Sequence, residues 1–339
     1  MNLRMFVILK TKTESYQLTN PVITTKSKWS FLSKMVFRKA LSAYMPSISE
    51  VAKEYRTHRP DYVIIRPFIS GIGLVHFAFA LWYCKKIILY SQSPKYRHKK
   101  KKNDLLLNLV LSLRKVEWMT PVKYRDETCF QEKVSPNAKI NYLQLPHPEI
   151  AFEKSSWLEN NQLNILIIAK SQSYKNHNVL IQALAKIPYS NYHLRIVGDY
   201  TGTDNYTIRI LDELERNNLN YELTGYVDHS RIGEVYAKAD VLILPSSYEM
   251  HGYVINEAVS HGIPLIISSE TGTKCLVKDG ENGYIFETKS SDDLRNKIEL
   301  LIDGGENLLK KFSTKAREIY NEELSPQIFL ERYHEILDR

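Results

Sequence analysis

The sequence predicts an α/β protein of two domains, a short first one and a second that is a doubly wound parallel sheet. Three observations lead there. Residues 163–268 alternate short apolar runs with segments of helical periodicity. A strand buried on both faces of a parallel sheet reads as a continuous apolar run, and a surface helix shows apolar residues three and four apart. The length of 339 residues suits about two domains. The charge also divides near the middle. Residues 1–150 carry 26 lysines and arginines against 10 acidic residues, and residues 151–339 carry 20 against 28, so the halves have net charges of +16 and −8. We expect an N-terminal domain over 1–150, a second domain over 151–320, and a closing helix over 321–339 that packs back on the first.

The first half is the less regular. Tyr62–Ile65 and Ile87–Tyr90 read as short strands with a helix, Ile72–Tyr83, between them, which makes a βαβ unit. This helix and Cys84 form the most apolar stretch. It is shorter than the ~20 residues a spanning helix needs and carries His76, so we read it as buried. Lys95-Tyr96-Arg97-His98 and Lys99 to Lys102 form a basic cluster, and Asp104–Leu113 after it reads as an apolar helix. Ala138–Leu143 reads as a strand leading to a hinge marked by Pro146, Pro148 and the polar stretch Glu153–Gln162. The N-terminal apolar run of about five residues is too short for a secretory leader.

The second half follows a clear order. Leu163–Ala169 is a strand, Val179 to Ile187 a helix, His193–Val197 a strand, Ile208–Leu214 a helix, Tyr221–Thr224 a strand, Ile232–Lys238 a helix and Val241–Leu244 a strand. A helix then begins near Tyr253 and stops at Gly262, a suitable C-cap, before Pro264 and the strand Leu265–Ser268. Pro326–Leu337 closes the chain as a helix. Cys84, Cys129 and Cys275 are too few and too scattered for a disulfide framework or a structural zinc site, which suits a reducing compartment.

Chemistry concentrates in two segments. Pro245 to Ala258 places Glu249 in a loop after a strand and Glu257 one turn into the next helix, with Gly252 at the helix entrance. A helix N-terminus offers free N–H groups and a positive dipole end, which suit a pyrophosphate, and a glycine there lets the backbone approach the anion. Carboxylates flanking that point suit sugar hydroxyls. The other segment, Lys170-Ser171-Gln172-Ser173-Tyr174-Lys175-Asn176, leaves the carboxyl edge of a parallel strand, where ligands bind in open α/β sheets. Two ammonium groups there can neutralise a diphosphate leaving group. Taken singly, each of these residues would read as a solvated surface side chain; their spacing in one strand–loop–helix context favours a site.

In this order the motifs resemble family 4 of the retaining glycosyltransferases, which have the GT-B fold of two Rossmann-like domains facing a cleft. The E-x7-E motif is Glu249…Glu257. The family's usual Gly-Arg…Lys-Gly loop corresponds to Ala169-Lys170…Lys175-Asn176. Gly198-Asp199, Thr224-Gly225-Tyr226-Val227, Ala239-Asp240, Gly262-Ile263-Pro264 and Asp279-Gly280-Glu281-Asn282-Gly283 follow in family order. The likeness is specific over about residues 163–290 and weak before 150. It implies a retaining transferase that moves a sugar from a UDP- or GDP-linked donor to a glycan or lipid-linked acceptor, in the synthesis of capsule, O-antigen or a similar cell-surface polysaccharide. Glu249, Lys170 and Lys175 would be catalytic. Glu257 would bind the ribose hydroxyls and Glu249 the donor sugar. Backbone N–H groups at His251, Gly252, Tyr253 and Val254 would contact phosphate and sugar, Tyr226 and Val227 would lie near the base, and Ser246 would belong to the donor site. No metal and no other cofactor is implied. The side chain of His251 could reach the sugar or fill the place of the family's usual aromatic. His177 reads as a helix-start residue and Cys275 as a small buried one.

The chain departs from the family in its first half. Met1 to Tyr44 holds no glycine, where the family has a glycine-rich loop after its first strand. Either Met5–Leu9 is that strand with an unusual loop, or the chain begins at what is normally the second strand; we favour the second. Ser91-Gln92-Ser93-Pro94 stands where many relatives have a histidine. The alternative to an active transferase is therefore a donor-binding protein that has lost transfer or depends on a partner. The basic half suits an anionic membrane surface and a peripheral place on the inner face of the cell membrane. It has no interleaved aromatics or recognisable module for nucleic acid.

Overall fold

The computed structural model describes residues 48–66, 71–91, 109–122, 139–148, 150, 154, 156–249 and 251–338. They fall into two compact units. One holds the residues up to Leu143 together with those from Tyr333 on, and the other is Gln144–Arg332.

The first unit contains α1 (Ile48–His58), β1 (Tyr62–Ile65), α2 (Gly71–Tyr83), β2 (Lys86–Tyr90), β3 (Val116–Thr120) and β4 (Lys139–Tyr142). Its strands pair in parallel in the order β1-β2-β3-β4. Val63, Ile65, Ile87, Leu89 and Trp118 of the sheet pack against Val51 and Tyr55 of α1 and Phe77 and Ala80 of α2. β3 was not expected from the sequence, because Glu117 interrupts its apolar run. The structure buries that carboxylate beside Lys86 Nζ at 3.6 Å, and Asn141 Nδ2 donates to it at 2.8 Å. Lys86 Nζ also donates to the carbonyls of Ile336 (2.5 Å) and Leu337 (3.2 Å), in the last turn of the helix Pro326–Asp338. A cation there answers the negative end of the helix dipole. Of the expected helix Asp104–Leu113, only residues 109–113 are described, and 109–111 are helical. The basic cluster at 95–102, residues 1–47 and Cys129 lie outside the described residues.

The second unit alternates strand and helix: β5 (Leu163–Ile168), α3 (His177–Leu184), β6 (Tyr192–Val197), α4 (Asn205–Arg216), β7 (Tyr221–Gly225), α5 (Ile232–Ala237), β8 (Val241–Leu244), α6 (Tyr253–Ser260), β9 (Leu265–Ser268), β10 (Gly283–Phe286), α7 (Ser291–Ile319) and α8 (Pro326–Asp338), whose residues from Tyr333 group with the first unit. The strands are parallel in the order β10-β9-β8-β5-β6-β7. Period-two alternation divides their side chains between two cores. Ile165, Ile167 and Ile243 pack with α3 and α7 on one face, and Leu166, Leu242 and Leu244 pack with Tyr236, Ile255 and Val259 on the other. At the foot of β8, buried Asp240 accepts from the N–H and the side-chain amide of Asn164, both at 2.8 Å, and pairs with Lys154 Nζ at 3.2 Å.

The sheet order reverses between β5 and β8. In an open α/β sheet such a switch point makes a crevice at the carboxyl ends of the two strands, because their loops turn away to opposite sides. Both chemistry-bearing segments leave the sheet there.

Candidate functional site

The loop after β5 is built by close packing. Gly198, at φ +148°, lies so near the strand end that an added Cβ would meet the carbonyl oxygen of Ala169 at 2.1 Å. That oxygen accepts from the Tyr200 hydroxyl at 3.2 Å. His177 starts α3 and is buried between two phenols, with Nε2 at 2.6 Å from Tyr200 Oη and Nδ1 at 3.2 Å from Tyr206 Oη. Burial, reinforced by the charge of Lys175, pushes its pKa down to about 4, so its ring is neutral at pH 7. It is a structural helix-start residue, as the sequence suggests. Lys170 is exposed and has no acidic partner among the described residues.

The loop after β8 is tied to the first. Ser247 donates its N–H to the Tyr174 carbonyl at 2.8 Å and its hydroxyl to the same oxygen at 3.2 Å. Lys175 Nζ pairs with Glu249 Oε2, both side chains largely buried. The Glu249 backbone is fixed by Thr271 and by the Gly272 N–H, which donates to the Glu249 carbonyl at 2.8 Å. Ser246 is fully buried; its carbonyl accepts from Ser268 Oγ at 2.5 Å, and its own hydroxyl has no partner among the described residues. It lies beneath the surface of the crevice.

Gly252 is the N-cap of α6, and among the described residues no side chain caps that helix. Its first-turn N–H groups at Tyr253 and Val254 are therefore the kind that an anion satisfies. The backbone of Gly252 is ordinary, with φ −77°. The space around it is tight: a Cβ would sit 3.1 Å from Leu244, 3.2 Å from Ile255 and 3.4 Å from Glu249, so those side chains would have to shift by a few tenths of an ångström to admit one. His251 is half-buried, with its ring edge-on to Tyr253 at 6.4 Å. Tyr226 follows Gly225, at φ +75°, and is 80% exposed, whereas Val227 and Val254 pack against the core.

Glu257 is 6% exposed. Tyr236 Oη donates to its Oε2 at 2.8 Å, and His229 Nδ1 stands 3.8 Å from Oε1. His261 Nδ1 donates to the Glu257 carbonyl at 2.8 Å. Sequence reasoning missed Tyr236, His229 and His261. A hydroxyl on the apolar face of α5 was the available signal, because a buried tyrosine needs a partner for its O–H. Lys175, Glu249 and Gly252 thus adjoin directly at the switch point, and Glu257 lies one turn further along the same helix. Among the described residues no group of three or more His, Cys, Asp or Glu could hold a metal ion, and no helix is long and apolar enough to cross a membrane.

Comparison with known proteins is consistent with this geometry. Residues 149–319 match the family model described as glycosyl transferases group 1. An uncharacterised glycosyltransferase of Haemophilus influenzae is 26% identical over 217 residues, 62% of this chain and 58% of the relative. The lipopolysaccharide core biosynthesis glycosyltransferase LpsE of Rhizobium meliloti is 24% identical over 163 residues, 48% of this chain and 46% of the relative. The chain spans about half the length of these curated relatives. Among solved structures, Anabaena Alr3699/HepE in complex with UDP superposes with a TM-score of 0.70 at 18% identity, covering 85% of this chain and 81% of that one. The fold is GT-B, with a Rossmann-like parallel sheet in each unit.

Proposed function

The chain belongs to the group 1 glycosyltransferases, and on that premise we propose that it transfers a sugar from a nucleoside diphosphate to an acceptor hydroxyl with retention of anomeric configuration. The observation that carries this reading is the junction of Lys175, Glu249 and the uncapped start of α6 at the switch point. Lys170, Lys175 and the N–H groups of α6 grip the diphosphate and stabilise the charge that develops as it departs. Glu249 accepts hydroxyls of the donor sugar, and Glu257 those of the ribose. Before a donor arrives, the Lys175–Glu249 pair keeps both charges compensated; donor entry turns the ammonium to phosphate and the carboxylate to sugar. The acceptor hydroxyl attacks the anomeric carbon from the face that the diphosphate leaves and passes its proton to the departing diphosphate oxygen, so no protein nucleophile is needed. The two lysines supply the positive charge, and the reaction calls for no metal.

A UDP donor is supported by the UDP complex of the Anabaena protein, with GDP as the other candidate. A glycan or lipid-linked acceptor of cell-surface polysaccharide synthesis is supported by the Rhizobium relative. A peripheral place on the inner membrane face is supported by the charge of +16 over residues 1–150 and by exposed Leu74, Leu81 and Trp82 on α2 near Lys85. A panel of UDP- and GDP-sugars with a lipid-linked oligosaccharide acceptor should give one product of unchanged anomeric configuration. Inversion seen by NMR would remove the retaining mechanism, and donor binding without turnover would leave a binding protein. Flotation with anionic but not neutral vesicles is expected; equal binding to both would remove the electrostatic attachment.

A further inference from the structure

We propose that Tyr236 is the positioning residue for Glu257, holding one carboxylate oxygen inside the protein so that only the other is presented to a ligand. The inference rests on the reading of Glu257 as an acceptor of nucleotide hydroxyls. Tyr236 is fully buried on α5, and its hydroxyl reaches across to α6, where Oε2 of Glu257 lies at 2.8 Å and the Val254 carbonyl at 3.3 Å. Its ring is clamped by His261, stacked at 4.5 Å between centroids and 23° between planes. His261 is itself fixed by the hydrogen bond from Nδ1 to the Glu257 carbonyl. Burial pushes the His261 pKa down to about 4, so the clamp is a neutral ring at pH 7.

The two oxygens of Glu257 therefore face different surroundings. Oε2 is committed to the phenol. Oε1 lies on the side of His229, which is 76% exposed, so this is the side open to solvent and to a hydroxyl donor. A glutamate with two free rotamers would lose affinity to conformational entropy; one oxygen tied to a clamped donor leaves a single acceptor in a fixed place. Burial and the neighbouring carboxylate raise the Tyr236 phenol well above its ordinary pKa, so it remains a donor throughout the working range.

The test is calorimetric titration of the full chain with UDP and with GDP, for the wild type, Tyr236→Phe, Glu257→Ala and the double variant. Tyr236→Phe is expected to weaken the diphosphate that the wild type binds by about tenfold, the size of a lost hydrogen bond to a charged group. In the Glu257→Ala background the same substitution is expected to change affinity by less than about twofold, because the phenol acts only through that carboxylate. In turnover, the donor KM should rise while kcat stays nearly constant, since the ribose lies away from the reacting bond. Unchanged affinity in Tyr236→Phe, or an equal loss in both backgrounds, overturns the positioning role. Wild-type affinity in Glu257→Ala, or binding of neither diphosphate by the wild type, overturns the underlying assignment of Glu257 and the positioning role with it. If Tyr236→Phe does not fold, Glu257→Gln decides. A clamped phenol draws the amide oxygen inward and turns the NH2 outward, so affinity should fall to within about threefold of Glu257→Ala. Near wild-type affinity in Glu257→Gln overturns the proposal.

Discussion

Lys170 and Lys175 leave the same strand end in different electrostatic states. Lys175 is already paired with Glu249, whereas Lys170 is exposed with no acidic partner among the described residues. Lys170→Ala is therefore expected to leave the melting temperature unchanged and to weaken nucleoside diphosphate binding by about 1.5–3 kcal/mol, the range for hydrogen bonds to charged groups. Calorimetry and thermal denaturation of the same sample check both halves, and a lowered melting temperature would show that Lys170 is structural. At this scale the sequence was informative about residues whose chemistry is conspicuous: two acids and two lysines around a strand–loop–helix junction. It was silent about Tyr236, because a tyrosine within the helix read over Ile232–Lys238 carries no sign of the partner its hydroxyl finds. The partnership with Glu257 crosses 21 residues that only the fold brings together. Gly252 was legible as the residue at the helix entrance, but the crowding around it was not. Its φ is ordinary, and the side chains of Leu244 and Ile255 crowd the place a Cβ would take.

The elements from β5 to β9 were legible because central strands such as β8 and β9, buried throughout, are short apolar runs and the helices keep their period, while the exposed edge strand β7 was read from its place in the alternation. β3 was not, because Glu117 sits inside it and is tolerable only beside Lys86 and Asn141, which lie in neighbouring strands. α7 was obscured by Gly304 and Gly305; the second takes φ +61° and ψ −161° within the helix. Asp240 shows how tightly one element can depend on one side chain. It joins the starts of β5 and β8 and holds the buried Lys154 ammonium. Asp240→Ala should destabilise the protein by about 3–5 kcal/mol, because it strands a buried cation and removes the acceptor for two Asn164 donors. Urea denaturation checks this, and a loss below about 1 kcal/mol would show that the lysine escapes to solvent.

The whole molecule carries its histidines in a way that sets its acid response. Burial lowers His76, His177 and His261 to about 4, against about 6.5 in an unfolded chain. Between those values the unfolded state binds more protons, so stability is fully present above about pH 6.5 and falls as pH approaches 4. Each histidine contributes a slope of up to about 1.4 kcal/mol per pH unit in that window. The melting temperature should therefore drop from pH 7 to pH 4.5, and a flat profile would show that these rings accept protons without cost. The return of the chain to the first unit bears on how the molecule is made. Residues from Tyr333 on group with that unit, and Lys86 holds the carbonyls of Ile336 and Leu337. They are translated only after all of Gln144–Arg332, so the first unit cannot be completed before the second has been synthesised. Until they have been made, the Lys86 ammonium lacks its two carbonyl acceptors, however early the strands of the first unit are synthesised.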